Sequence, residues 1–201
     1  MWVVCSNCGT TTFKGRFCMK CGSPLTPYKS QYQYRFRVDV LGEKNVGKTS
    51  LIEKLVASSD ISAVSGSTTS GSWMIDKVEI IIDFRELDGV HAAPDDKMDA
   101  ALLVFDLSNR RTFVKSLLFF EKLKMLPSPP PTFLIANKSD ETGNRTVEEK
   151  EAADVAKAHG ATYIEVSASN GFNVDLLREK LIKGLLAYRL EKIKRLLKNG
   201  Q

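Results

Sequence analysis

The chain of 201 residues has no apolar run longer than six, Ala100 to Phe105, against the roughly 18 to 20 consecutive apolar residues needed to cross a bilayer. No membrane-spanning segment is expected. It has no cysteine after Cys21 and no glycine after Met1, where Trp2 stands, so prenylation and myristoylation are not expected either. The opening MWVVCSNC lacks the basic and apolar regions of a secretory signal, which points to a reducing, cytoplasmic setting. No acidic residue precedes Asp39. An acid-poor, basic start also suits an organelle transit peptide, but regularly spaced cysteines do not. With 43% hydrophobic and 26% charged residues, the chain can fill one full core, and disorder of the whole is excluded.

The net charge of +5 is unevenly spread: residues 1–40 carry +5, residues 174–201 carry +5 and the stretch between them −5. A uniformly basic protein would suggest a nucleic-acid partner. Here only the two ends are basic. All four cysteines lie in residues 1–25, with few large apolar neighbours beyond Trp2, Phe13, Phe17 and Leu25, too few to fold on a hydrophobic core alone. The Pro24 and Pro27 segment that follows reads as a linker. The division expected is a metal-binding module over 1–25, a linker over 26–33 with the boundary near Gln31, a main domain over 34–190 and a basic helical extension over 191–201.

Within the main domain, short apolar strands alternate with helical stretches, the pattern of an α/β fold whose mostly parallel sheet has helices on both faces. Strands are expected at Tyr34 to Leu41, Val78 to Phe84, Ala100 to Leu107, Thr132 to Ala136 and Thr162 to Val166, with a weak one at Trp73 to Ile75. Helices are expected at Lys48 to Ala57, Arg111 to Leu126, Val147 to His159 and Val174 to about Lys198. Thr146 and Glu149 read as a capping box for the third helix. The PSPPP run from Pro127 to Pro131 ends the second.

Between the first strand and first helix lies Gly42-Glu43-Lys44-Asn45-Val46-Gly47-Lys48-Thr49, followed by Ser50. It matches the G-x-x-x-x-G-K-[ST] phosphate loop in its required strand-loop-helix context. In such a loop backbone N–H groups converge on phosphates at a helix N-terminus. Lys48 would reach the β- and γ-phosphates, and the Thr49 hydroxyl would ligate Mg²⁺.

Downstream stands Asn137-Lys138-Ser139-Asp140, directly after TFLIA and roughly 90 residues beyond the phosphate loop. In that order and spacing the chain resembles the Ras-like small GTPases, of the P-loop NTPase fold, over residues 34 to about 190. The VFDLSNRRTF segment resembles their Rab and Ras branches. The resemblance implies GTP/GDP binding, with Asp140 accepting from guanine, Lys138 lying along the base and Asn137 tying its loop to the phosphate loop. Ser167-Ala168-Ser169 is similar to a Ser-Ala-Lys segment whose alanine N–H meets the guanine oxygen. Asp83 aligns with the family's Asp-x-x-Gly and would bind Mg²⁺ through water. On that alignment Glu86 replaces the glycine facing the γ-phosphate and Leu87 replaces the water-orienting glutamine; Gly89 lies out of register. Thr68 or Thr69, in a Ser/Gly/Thr stretch suited to an order-disorder switch, would close over the metal.

Hydrolysis is therefore expected to be slow. Lys44 and Arg85 remain candidates for a cation supplied in cis, alongside Lys48. The alternatives are a scaffold that binds nucleotide without hydrolysing it, and a nucleic-acid binder.

The cysteines form C-x₂-C-x₉-C-x₂-C, with Gly9 and Gly22 after the pairs. This is a zinc-ribbon pattern, Cys5, Cys8, Cys18 and Cys21 around Zn²⁺, with Lys14, Arg16 and Lys20 offsetting the thiolate charge. Disulfides and an iron-sulfur centre are the rival readings. The ribbon is expected to dock proteins rather than nucleic acid. Effector and regulatory proteins are the partners the resemblance implies.

The last helix carries Leu177, Leu181, Leu185 and Leu186, then Leu190, Ile193 and Leu197, on one face. Beyond Tyr188 it adds Arg189, Lys192, Lys194, Arg195 and Lys198. Such an end can contact an anionic membrane, dock a partner helix or fold back on its own domain.

Overall fold

The computed structural model describes residues 2–5, 8–13, 18–22, 32–65, 68–75, 77–89 and 97–199. The boundary at Gln31, nearly all of the linker, and Lys14, Arg16 and Phe17 lie outside the described residues. Two short strands, β1 (Trp2–Val4) and β2 (Thr11–Phe13), pair antiparallel among the cysteines.

Seven further strands make one sheet: β3 (Tyr32–Gly42), β4 (Ile61–Ser65), β5 (Thr68–Ile75), β6 (Val78–Asp88), β7 (Ala100–Asp106), β8 (Thr132–Asn137) and β9 (Thr162–Glu165). Their spatial order is β4-β5-β6-β3-β7-β8-β9. From β6 through β9 every pairing is parallel, and the β4-β5 hairpin adds an antiparallel edge. Every residue of β7, an interior strand between β3 and β8, is buried, as a parallel strand covered on both faces requires.

Strand parity divides the core. Phe36, Val38 and Val40 of β3 share a cluster with Ile80, Ile82 and Phe84 of β6, under α1 (Lys48–Val56) and α4 (Val174–Asn199). Leu41 faces the other way, with Phe113 and Phe119 of α2 (Arg110–Lys124) and Ala152 of α3 (Glu149–Ala158). Thus even-numbered positions of β3 and β6 look toward α1, and odd-numbered ones away from it.

Three expectations change. β4 was not expected; its described side chains are exposed, so backbone pairing with β5 rather than an apolar pattern defines it. β6 runs to Asp88 instead of ending at Phe84, because its register with β3 continues through Gly42 opposite Asp88. The capping box is absent. The Thr146 hydroxyl and N–H both donate to Leu107 O, at 3.1 and 2.9 Å, closing the loop onto the end of β7, and Glu148 takes the cap position without a side-chain bond.

The last helix continues to Asn199. Val174, Leu177, Leu181 and Leu185 are buried, whereas Leu190, Ile193, Leu196 and Leu197 are exposed. Its anchorage to the sheet ends near Arg189, whose guanidinium lies 4.9 Å from the Phe36 ring centre and donates to Arg35 O at 3.1 Å. Among the described residues no helix is long and apolar enough to cross a membrane.

Candidate functional site

The phosphate loop joins β3 to α1 and is held from beneath by one side chain. Asn137, 1% exposed at the end of β8, donates from Nδ2 to Val46 O at 2.8 Å and accepts at Oδ1 from the Ala168 N–H at 3.0 Å. One amide therefore binds together the loops at 42–49, 137–140 and 167–169. The Ala168 N–H expected to face guanine is, in this arrangement, given to Asn137. Gly47 adopts φ 88°, and a Cβ there would lie 2.3 Å from Asn137 Nδ2. Gly47→Ala is accordingly expected to lose about 3 kcal/mol of stability, through backbone strain and loss of the buried bond. Urea unfolding measures it, and a shift under about 0.5 kcal/mol would show that the amide is dispensable.

Lys48 begins α1 with its side chain 2% exposed. Its Nζ donates to Glu43 O at 2.7 Å and Gly42 O at 3.3 Å, and forms ion pairs with Asp88 at 2.7 Å and Glu86 at 3.9 Å. The Thr49 hydroxyl donates to the Glu86 carboxylate, 2.8 and 3.0 Å from its two oxygens. Glu43 is paired with Lys115 of α2 at 2.7 Å. Exposed Lys44 lines a cavity of about 530 Å³ with Asn45, Gly47, Ser50, Asp88 and Lys138. A larger cavity of about 680 Å³ lies beside it, between α1 and the β4-β5 hairpin. The buried ammonium and the converging loop suit a phosphate; the Thr49 hydroxyl and Glu86 carboxylate are hard oxygen donors suited to Mg²⁺.

Asp83 is not part of this arrangement. At an odd position of β6 it faces away from α1, bound by Arg35 at 2.6 and 3.0 Å and by the Ser70 hydroxyl at 2.6 Å. Burial pushes its acidity down, but the bonds from Arg35 and Ser70 outweigh this and leave its pKa below the ordinary carboxylate value. The sequence expectation puts Asp83 beside Thr49; the structure puts Glu86 there instead, and parity along Ile80, Ile82, Phe84 and Glu86 was the available signal. Leu87 packs against the core on the far face, and the Gly89 N–H donates to Gly42 O at 3.0 Å. The structure thus brings Gly89, not Glu86, against the start of the phosphate loop by its backbone.

Arg85 is also turned away. It grips the carboxylate of Asp39, which is 0% exposed, at 2.9 and 2.5 Å. Thr68 and Thr69 lie in a paired strand rather than a free switch segment, opposite Arg85 and Phe84 respectively. Thr69 lines the larger cavity with Thr49, Glu86 and Asp88.

At the other end of the site, Lys138 takes φ 65° and pairs with Asp106 at 2.6 Å. Burial raises the Asp106 pKa, but bonds from Lys138 and Ser108 outweigh it and the net shift is downward. Asp140 and Ser169 are exposed, and Ser167 is buried, accepting from the Asn170 N–H at 3.2 Å.

The four cysteines form a separate cluster whose sulfurs all lie within 4.8 Å of one another. None is disulfide-bonded. Cys5 and Cys21 sulfurs are 3.6 Å apart, Cys8 and Cys18 sulfurs 3.7 Å; a tetrahedral Zn²⁺ with sulfur at about 2.3 Å requires about 3.8 Å. Two matching turns hold them, Gly9 N–H to Cys5 O and Gly22 N–H to Cys18 O, both 2.9 Å. Gly9 and Gly22 adopt φ 67° and 68°, the left-handed region that glycine favours. Bonds from Thr10 lower the Cys8 thiol pKa and favour its thiolate. The donor set fits zinc.

The family model of the Ras family matches residues 84–187. The chain is 31% identical over 196 residues to Ras-related protein Rab-27A of Sus scrofa, covering 80% of this chain and 82% of that protein. It is 26% identical over 167 residues to Ras-related protein Rab-26 of Rattus norvegicus, covering 77% and 65%. With Ras-related protein Rab-42 of Homo sapiens the identity is 28% over 173 residues, covering 74% and 77%.

Proposed function

The chain belongs to the Ras family, and from that premise we propose that it is a guanine-nucleotide switch with slow intrinsic hydrolysis, carrying a zinc ribbon that docks a partner protein. Membership carries small-GTPase activity with GTP/GDP and Mg²⁺ in general. The observation that supports the nucleotide site most directly is the Asn137 amide, which joins the phosphate loop to the NKSD loop.

In this reading Gly42 to Ser50 surround the phosphates, Lys48 neutralises their charge, and Asp140, with the 167–169 loop, reads the base. Thr49 and Glu86 would hold Mg²⁺, with Glu86 in the role that alignment gave to Asp83; Thr69 is favoured over Thr68 as the second hydroxyl because it shares their cavity. Bound there, Mg²⁺ would supply charge neutralisation of the phosphates. Four thiols gathered as a zinc donor set suit a reducing, cytoplasmic setting. Exposed Leu190, Ile193, Leu196 and Leu197 among Lys192, Lys194, Arg195 and Lys198 support reversible contact of the last helix with an anionic surface.

Slow hydrolysis is supported by Val90, the apolar residue that follows Gly89 in sequence and has no polar group to orient water, and by Arg85 being committed to buried Asp39. Arg85 is withdrawn as an internal catalyst; Lys44 remains beside the cavity. Single-turnover hydrolysis of preloaded GTP is expected at or below about 4 × 10⁻⁴ s⁻¹, the scale of an unassisted small GTPase, and unchanged in Arg85→Ala molecules that remain folded. A fast wild type that collapses in Lys44→Ala would replace the slow switch with one catalysed by its own lysine.

A further inference from the structure

We infer that Asp88 sets the nucleotide preference of this site, its carboxylate contending with a terminal phosphate for Lys48, so that the protein favours a nucleoside diphosphate over the triphosphate. The inference rests on the nucleotide-binding reading above and deepens it. Lys48 has three N–H donors. Two are directed to the carbonyls of Gly42 and Glu43, and the Asp88 carboxylate lies 2.7 Å from the same nitrogen.

Asp88 is placed there by the sheet rather than by a loose loop. It stands opposite Gly42 in the β3-β6 ladder, and the next residue, Gly89, donates its N–H to Gly42 O at 3.0 Å. Parity puts Glu86 and Asp88 on the α1 face together, so two carboxylates look into the space above one buried ammonium. Lys44 and Lys138 line the same cavity, but Lys138 is already paired with Asp106.

The two ends of the Lys48–Asp88 pair are unequally exposed, which decides how the contest runs. The Asp88 side chain is 49% exposed and can be released into water, whereas the Lys48 side chain is 2% exposed and cannot leave. A buried cation left without its anion is costly; a half-exposed carboxylate turned to solvent is not. A γ-phosphate can therefore displace Asp88, but it arrives carrying negative charge beside a carboxylate whose backbone the β3-β6 ladder keeps next to the phosphate loop. A β-phosphate, further along the loop N–H groups, meets less of that repulsion. With Glu86 engaged at Thr49, Asp88 is the carboxylate left facing the terminal phosphate.

The test is the ratio of GTP to GDP affinity, measured by equilibrium titration with a fluorescent GDP and a fluorescent non-hydrolysable GTP analogue in Mg²⁺, on the full chain. Asp88→Asn keeps the shape and removes the charge; Asp88→Ala removes both. Both variants are expected to raise the ratio at least tenfold over the wild type, and Glu121→Gln, on the exposed face of α2 where it pairs with Lys124, to leave it unchanged. A ratio within about twofold of wild type in both Asp88 variants, with GDP still bound, overturns the inference while the nucleotide-binding reading stands. A wild type that binds neither nucleotide overturns both.

Discussion

Replacing Asp140 by asparagine is expected to turn the site from guanine to xanthine, with GDP affinity falling by three orders of magnitude or more and xanthosine diphosphate becoming the tighter ligand. A carboxylate can accept from both the N1–H and the exocyclic amine of guanine. An amide presents an N–H to one of those donors, and a site built to hydrogen-bond a group rejects the mismatched analogue by about 10⁴ to 10⁵. The size of the effect depends on how firmly the carboxylate is presented. Lys138 is held in the left-handed region, the Ser139 N–H donates to Val166 O at 3.2 Å, and the Glu141 N–H donates to Lys138 O at 3.0 Å. With Asn137 anchored at both ends, the loop has little freedom to re-aim. Asp140 itself is exposed, so the substitution should change stability by no more than about 0.5 kcal/mol. Competition among GDP, xanthosine diphosphate and ADP reads the outcome; a variant that still prefers GDP over xanthosine diphosphate removes Asp140 from base recognition.

Stripping the metal from the cysteine cluster is the second large effect. One Zn²⁺ per chain is expected in freshly purified, reduced protein, and a strong chelator is expected to unfold the module while the metal leaves. Among the described residues of that module only Cys5, Thr12 and Cys18 are buried, while Val4 and Met19 are exposed. There is too little apolar contact to hold two three-residue strands together. Structural zinc contributes roughly 10 to 16 kcal/mol in units of this kind, far more than anything else visible here. Cys5→Ser should therefore weaken zinc binding by orders of magnitude and abolish the dispersion of amide signals from residues 2–22. Elemental analysis that finds iron or no metal would overturn the zinc assignment, and retained folding after chelation would show that the cluster does not hold the module.

The legibility of these features in the amino-acid order differed for physical reasons. The phosphate loop and NKSD loop are local strings in which each residue's neighbours in sequence are also its neighbours in space. The last helix, 26 residues long, was legible because apolar residues recur at helical spacing with no proline from Val174 to Asn199, the single Gly184 lying where the helix passes close to Phe133. The end of β6 was not. Arg85, Glu86 and Asp88 look like the polar close of a strand, yet Arg85 is neutralised by Asp39 from β3 and Glu86 and Asp88 by residues of α1. Each partner lies about 40 residues away in sequence. The consequence was an Asp-x-x-Gly reading begun three residues early, at Asp83, which alternation with Ile80, Ile82 and Phe84 would have directed to the opposite face. β4 was illegible for a different reason, because an exposed edge held by backbone bonds leaves almost no apolar signature.

The buried Asn137 amide has a kinetic consequence. Its two hydrogen bonds sit on opposite ends of one planar group, so neither the 42–49 loop nor the 167–169 loop can lift away alone without stranding a buried donor or acceptor, at about 1 to 3 kcal/mol. Each loop therefore opens against its own end of the amide, whereas a rotation of the Asn137 side chain breaks both bonds at once. A partner that accelerates exchange is expected to act most economically by displacing that one side chain, which loosens the part of the pocket around the phosphates and the part around the base together.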